Sequence, residues 1–338
     1  MALAPSSNDT YRFDFEYVDN AVTKTDVELI KFTATETISR PYEYSITVKP
    51  KAASGADVYN ILNLECRIKI YTGPSTGPDL SFTHVKTISG VVVEVEDADY
   101  HGNDAYIVRM IPKLGLLEKV RNNAVFIERD LKSLVKDIVT EGSGLLGGEY
   151  EAEGISASLN TWSFRMQYAE TSLNFLHRIL ERHAHYYYFE NSKDTSTKPV
   201  FTASGNRSLE QIALTDNLVS KGVGALDAVD TLSYRRISIP KSIKVTDYGN
   251  GKDFFLSNPN SVSNGPISEE ENLNTGGSHS IIVDGLNLID DVDAQLLVGN
   301  LVKAHKFSEY QLTGRSNCCN VVPGYVIQIT STGSRDKI

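Results

Sequence analysis

The chain has 338 residues, 41% of them hydrophobic and 22% charged, which is ordinary for globular proteins and ample material for two or three cored domains. A formal net charge of -10 without a basic run argues against nucleic acid and against an anionic membrane surface. No apolar run reaches the ~18 residues needed to span a bilayer, and the opening MALAPSSNDTY has neither a basic nor an apolar leader region, so synthesis in the cytoplasm without a signal peptide is expected, and any role outside the cell requires another machine to carry the chain there.

Residues 11–112 read as a succession of short strands. Tyr11, Phe13 and Phe15 alternate with polar neighbours, as do Tyr42, Tyr44, Ile46 and Val48, then Ile68 and Ile70, then Val91, Val93 and Val95. Turn signals stand at Lys49-Pro50, Tyr71-Thr72-Gly73-Pro74 and Tyr100-His101-Gly102-Asn103. Many short strands with such punctuation predict an all-β barrel or sandwich.

The pattern changes after Asn122. Leu131, Leu134, Val135, Ile138 and Val139 have helical spacing, opening near Asp130 and closing at Gly142. Trp162, Phe164 and Met166 alternate as a strand. In the stretch YAETSLNFLHRILERHAHYYYFE (168–190), Leu173, Phe175, Leu176, Ile179 and Leu180 form one apolar arc with Thr171 as N-cap. Tyr186, Tyr187, Tyr188 and Phe189 then form a strand, for which core packing with one exposed row is expected. Asn191 to Pro199 reads as a hairpin connection. Residues 113–205 are thus a mixed α/β block.

From 206 to 338 the reading returns to strands, at Ile237, Ile239, Ile243 and Val245. Ser257 to Ser280 reads as a long polar loop with Glu269, Glu270 and Glu271 at its solvated tip. Ala294, Leu297, Val298, Leu301 and Val302 mark a helix ending near His305.

Candidate chemistry is thin. His177, His183, His185 and Glu181 invite a metal reading, but only His177 and Glu181 share an i,i+4 face and no HExxH pattern exists. No metal, cofactor or catalytic residue is assigned. With Cys66, Cys318 and Cys319 the cysteine count is odd and gives no disulfide framework, consistent with a reducing compartment. As neighbours in a strand, Cys318 and Cys319 are expected to point to opposite faces. Ser39 and Ser316 are not in a G-x-S-x-G elbow. Asp290, Asp291 and Asp293 read as charge compensation before a helix. Gly147-Gly148 and Gly276-Gly277 do not continue into a phosphate loop.

One set of motifs is specific. Glu170, Thr171, Leu173, Phe175, Arg178, Leu180, Glu181 and Tyr186 to Phe189 resemble the ETxLxF…RLLEExGIYYYF motif of type VI secretion spike proteins, the VgrG family, and of related phage tail hub and late control proteins. The family's glycine at the helix end is here Ala184, followed by His185, so the turn there is expected to be built differently. Further positions follow in the family's order: Glu36, Ile38, Ser39, Pro41 and Tyr42; Gly90 and Val92; Tyr106, Val108, Met110, Pro112, Leu114 and Leu117; and Gly314, Ser316, Pro323, Gly324, Val326 and Gln328.

The resemblance touches most of residues 28–330 and implies a β-rich α+β, phage tail hub-like fold: two similar β-barrel domains, 1–112 and 206–338, around the block 113–205. It implies a homotrimeric structural hub, not an enzyme, that matches a hexameric (Hcp-like) tube to a threefold spike among baseplate components. No β-helical repeat and no oligosaccharide-binding-like barrel is visible, so that spike part is expected either fused beyond Ile338 or on a separate chain. The hub of a phage or phage-derived tail is the nearest alternative. An envelope-degrading hydrolase and a carbohydrate-binding adhesin are alternatives of another class.

Overall fold

A computed structural model describes residues 9–51, 57–74, 82–100, 103–145, 147–155, 162–183, 185–191, 197–203, 212–215, 229–248, 266–273, 279–283, 291–319, 321–325 and 327–330. Seven strands build the first part: β1 (Asp9–Asp19), β2 (Val22–Lys24), β3 (Val27–Thr35), β4 (Glu43–Pro50), β5 (Glu65–Pro74), β6 (Thr83–Tyr100) and β7 (Asn103–Ile111). They form one sheet in the order β2-β1-β5-β6-β7-β4-β3, every pairing antiparallel. The sheet curls until β1 stands beside β3, with the Phe13 and Phe32 rings 5.2 Å apart. The predicted alternation fills the inside except in β6, where the bulge after Val92 leaves Val91 and Val92 both buried and Val93 and Val95 half-buried. Phe15, Tyr44, Ile46, Val48, Ile68, Ile70, Val92, Val108 and Met110 are all buried.

The corner of this sheet explains one family glycine. β6 pairs with β5 up to Val91 and with β7 from Val91 onward, with a bulge between Val92 and Glu94. At Gly90, just before the changeover, a Cβ would lie 2.5 Å from the Ile111 carbonyl oxygen. Only a residue without a side chain lets the two strands approach so closely at a bend. The turn expected at Tyr71 to Pro74 is instead strand: β5 runs through Pro74, which pairs with Asp9, because the long β1 extends the ladder past the Gly-Pro signal.

The middle block contains β8 (Arg121–Arg129), α1 (Leu131–Ser143), β9 (Glu151–Gly154), β10 (Trp162–Thr171), α2 (Ser172–Arg182), β11 (Tyr186–Glu190) and β12 (Lys198–Thr202). Asp130 caps α1, its carboxylate accepting from Ser133 N at 2.7 Å, and Gly144 closes it in the left-handed conformation. Thr171 Oγ1 accepts from Asn174 N at 3.2 Å and caps α2 as predicted. β8 and β10 form a two-stranded antiparallel ribbon, while β11, β12 and β9 form a separate small sheet. Ala184 lies outside the described residues.

The remaining strands are β13 (Ile212–Thr215), β14 (Val229–Arg236), β15 (Ser242–Tyr248), β16 (Pro266–Asn272), β17 (Ser280–Val283), β18 (Tyr310–Ser316) and β19 (Ile327–Thr330), with helix α3 (Asp291–Glu309). β13 pairs with β19, β14 with β18, and β15 lies between β16 and β17. Glu269, Glu270 and Glu271 are not a loop tip. They belong to β16, opposite Val245, Lys244 and Ile243 of β15, because the ladder supplies backbone partners that a triplet of acidic side chains does not reveal. Asp290, Gly276 and Gly277 lie outside the described residues.

The chain divides into two compact units: Met1–Arg178 with His185–Asp230 and Ser316–Ile338, and Ile179–Ala184 with Thr231–Arg315. The core of the second unit is Ile239, Ile243, Val245, Leu273, Ala294, Leu297, Val298 and Val302, so the predicted apolar face of α3 is the one it buries. The fold is β-rich with few helices, and no described helix is long and apolar enough to cross a membrane.

Two glycines should respond to alanine with opposite signs. Gly90→Ala forces a Cβ against backbone and should destabilise the first unit by about 1–3 kcal/mol. Gly299 lies inside α3, and a Cβ added there would come no closer than 3.9 Å to another element, at Glu271 Oε2, so Gly299→Ala should stabilise the second unit by up to about 1 kcal/mol. Urea unfolding of each variant measures both.

Candidate assembly surfaces

Most residues that looked chemically interesting are structural. The His177 ring stacks on Tyr187, and His177 Nε2 is 2.8 Å from the Tyr187 hydroxyl. Burial, with the nearby Arg40 guanidinium, pushes this imidazole down to about 4 from the ordinary 6.5. His183 and His185 are buried. Among the described residues, no group of three or more His, Cys, Asp or Glu side chains is placed to hold a metal ion.

Ser39 sits at φ 57 and donates its backbone N–H to the Tyr187 carbonyl at 2.8 Å. Its motif position is therefore a backbone clasp between the first sheet and β11. Ser316 Oγ accepts from Cys318 N at 3.0 Å, and Cys319 N donates to the Tyr11 hydroxyl at 3.3 Å. The two cysteines are not in a strand: β18 ends at Ser316 and they follow it in a turn, so alternation does not govern them. Neither forms a disulfide.

The aromatic strand β11 has no exposed row. Tyr187, Tyr188 and Phe189 are all buried, because both its faces are covered. Tyr187 and Phe189 continue a chain of rings from the first sheet: Phe32 to Tyr44 at 5.8 Å, Tyr44 to Tyr42 at 5.6 Å, and Tyr42 to Phe189 at 4.7 Å. Tyr188 is met from the other side by Gly324, whose Cβ position, at φ 89, would lie 2.5 Å from the ring. The Pro323-Gly324 motif thus lets the chain pass over a tyrosine.

Among the described residues, two ribbons each leave a group of apolar side chains open. On β8–β10, Phe164 stands opposite Ile127 and Met166 opposite Val125. These four and Tyr168 are between 44% and 69% exposed. The opposite face carries Phe126, stacked on Phe175 at 5.5 Å, and the buried Gln167. A bulge between Gln167 and Glu170, held by Ala169 N donating to Asn123 Oδ1 at 2.8 Å, places Tyr168 outward. Beside this ribbon, a groove of about 310 Å³ runs between β8 and α1, lined by Asn122, Phe126, Asp137, Ile138 and Gln167. On β14–β18, Tyr234 stacks on Tyr310 at 5.9 Å, and Arg236 lies over Tyr310 at 5.2 Å while paired to Glu309 at 2.7 Å. Tyr234, Tyr310 and Leu312 are 46–49% exposed, and every residue of β18 is exposed. In the sequence, Phe164 and Met166 are legible only as members of an alternating strand, and Ile127, Tyr168, Tyr234, Tyr310 and Leu312 do not stand out. Alternation is the available signal, and it does not say which face is covered.

His177 makes the first unit sensitive to acid. Its folded-state pKa lies below the unfolded one, so the unfolded chain takes up the proton first and stability falls as pH drops from about 6.5 toward 4. His177→Phe should flatten the stability profile across that window, as measured by thermal unfolding at stepped pH.

The chain is similar to known proteins in sequence and in fold. The family described as phage tail baseplate hub (GPD) matches residues 35–337. Two type VI secretion system spike proteins of Pseudomonas aeruginosa are similar. VgrG1c is 28% identical over 89 residues, covering 26% of this chain and 12% of that protein. VgrG1b is 27% identical over 105 residues, covering 31% and 14%. The matched stretch is thus a small part of those longer proteins. The fold is shared with a tail protein from Neisseria meningitidis MC58, with a TM-score of 0.61 at 8% identity over 94% of this chain and 86% of that one. It is also shared with the E. coli c3393 protein, a component of the type VI secretion system with structural similarity to the T4 bacteriophage tail proteins gp27 and gp5, with a TM-score of 0.59 at 17% identity over 91% and 64%. With a family match running from the end of β3 almost to the last residue, and with the motif residues serving as clasps and close approaches, this chain belongs to the phage tail baseplate hub family.

Proposed function

We propose that the chain is the structural hub at the base of a contractile injection spike of the type VI secretion kind. In this reading, residues 1–112 and 206–338 are two tube-type barrels and 113–205 the block between them. Three copies with two barrels each would present six similar units to a hexameric tube while keeping threefold symmetry for the spike. A closed cyclic assembly limits its own growth. The observation that carries the reading is the hub-family match over residues 35–337.

The role is mechanical. Shape complementarity and stiffness nucleate the tube, and a contracting sheath supplies force. A non-catalytic role is supported by how two candidate side chains are used: Ser316 Oγ accepts from a backbone N–H and His177 stacks on a ring. The chain would be made in the bacterial cytoplasm and carried out by the machine itself, with a tube protein, a spike part and baseplate components as partners. The hub of a phage or phage-derived tail is the second reading, favoured by the phage-tail description of the matching family.

The test is the assembly state. Native mass spectrometry of the purified chain should give a species of three copies, and negative-stain class averages should show a hollow threefold ring. A chain that stays monomeric across the micromolar range overturns the reading.

A further inference from the structure

We infer that, in the ring of copies proposed above, on which this step rests, the β8–β10 strip of one copy is covered by the β14–β18 strip of the next, joining the chains head to tail.

A two-stranded ribbon is marginal in water on its own, and each of these two leaves an apolar face open. Val125, Ile127, Phe164, Met166 and Tyr168 together expose about 500 Å² on the ~150–250 Å² scale of a large side chain. That is more than half of the ~800 Å² that one partner contributes to a stable interface. The occupant is a second copy because a head-to-tail ring needs two unlike surfaces per chain, and the second one is present: the stacked Tyr234 and Tyr310 with Leu312 beside them. Aromatic side chains and an Arg on a ring are the residue types enriched at such contacts.

The experiment uses two variants of the full chain. Variant A carries Ile127→Glu and Phe164→Glu; variant B carries Tyr310→Glu and Leu312→Glu. Circular dichroism and thermal unfolding establish that each folds, and Tyr168→Glu or Tyr234→Glu replaces whichever does not. The unmodified chain should be trimeric by native mass spectrometry, each variant alone monomeric, and an equimolar mixture dimeric, since A keeps one intact strip and B the other. A folded variant that stays trimeric, or a mixture that stays monomeric, overturns this inference alone. Loss of assembly in A but not in B, which a like-to-like contact or a different occupant of one strip would give, also overturns it. An unmodified chain that never trimerises overturns the ring reading and this inference with it.

Discussion

The contact on which the first unit depends is the insertion of β11 against the curled sheet. The Tyr42–Phe189 ring pair at 4.7 Å, the Ser39–Tyr187 backbone bond at 2.8 Å, and the bond from Ser89 N to Thr197 Oγ1 at 2.9 Å fasten the middle block to the barrel-like sheet. Each tyrosine and phenylalanine there buries a large apolar surface, and ring pairs in tilted or edge geometry add about 0.5–1.5 kcal/mol beyond area. Three of the hydroxyls have partners: Tyr42 donates to the Ser89 carbonyl, Tyr44 to Glu36, and Tyr187 meets His177. An aromatic run of this kind is a rigid joint, which suits the mechanical role proposed for the chain.

The same logic governs the family motif positions. Gly90 and Gly324 stand where a Cβ would strike a backbone oxygen or a ring. Thr171 closes a helix start. Arg178 pairs with Glu170 at 2.6 Å and donates to the Met166 carbonyl at 3.2 Å, tying α2 back to the strand that precedes it. None of these roles is chemical in the sense of bond-making. They keep the sheet, the ribbon and the aromatic strand in fixed relation, and the apolar faces of the two ribbons stay open to binding.

Where sequence and structure part, the reason is a tertiary one. Acidic side chains at Glu269 to Glu271 mimic a loop because β16 lies at an edge of its sheet, and the polar content of an edge strand looks like a turn. The Gly73-Pro74 pair mimics a turn because a Pro at the end of a ladder is compatible with pairing on one side only. Adjacent Cys318 and Cys319 would face opposite ways in a strand, but the strand stops at Ser316. In β10 the period of two is legible, yet period alone is symmetric: it separates Phe164, Met166 and Tyr168 from Arg165 and Gln167 without saying which set meets the core.

Residue pattern alone is enough for the local elements and the family: period-two runs across residues 11–112, the helix beginning at Asp130, the capped helix before YYYF, and motif residues in order along the chain. These are set by backbone propensity and short-range side-chain spacing, which act within a few residues. Folding in three dimensions adds that Phe164, Met166 and Tyr168 face outward and that residues of the 316–330 segment contact Tyr11 and Tyr188. Such outcomes depend on which distant surfaces compete to be buried, a comparison that no local window contains.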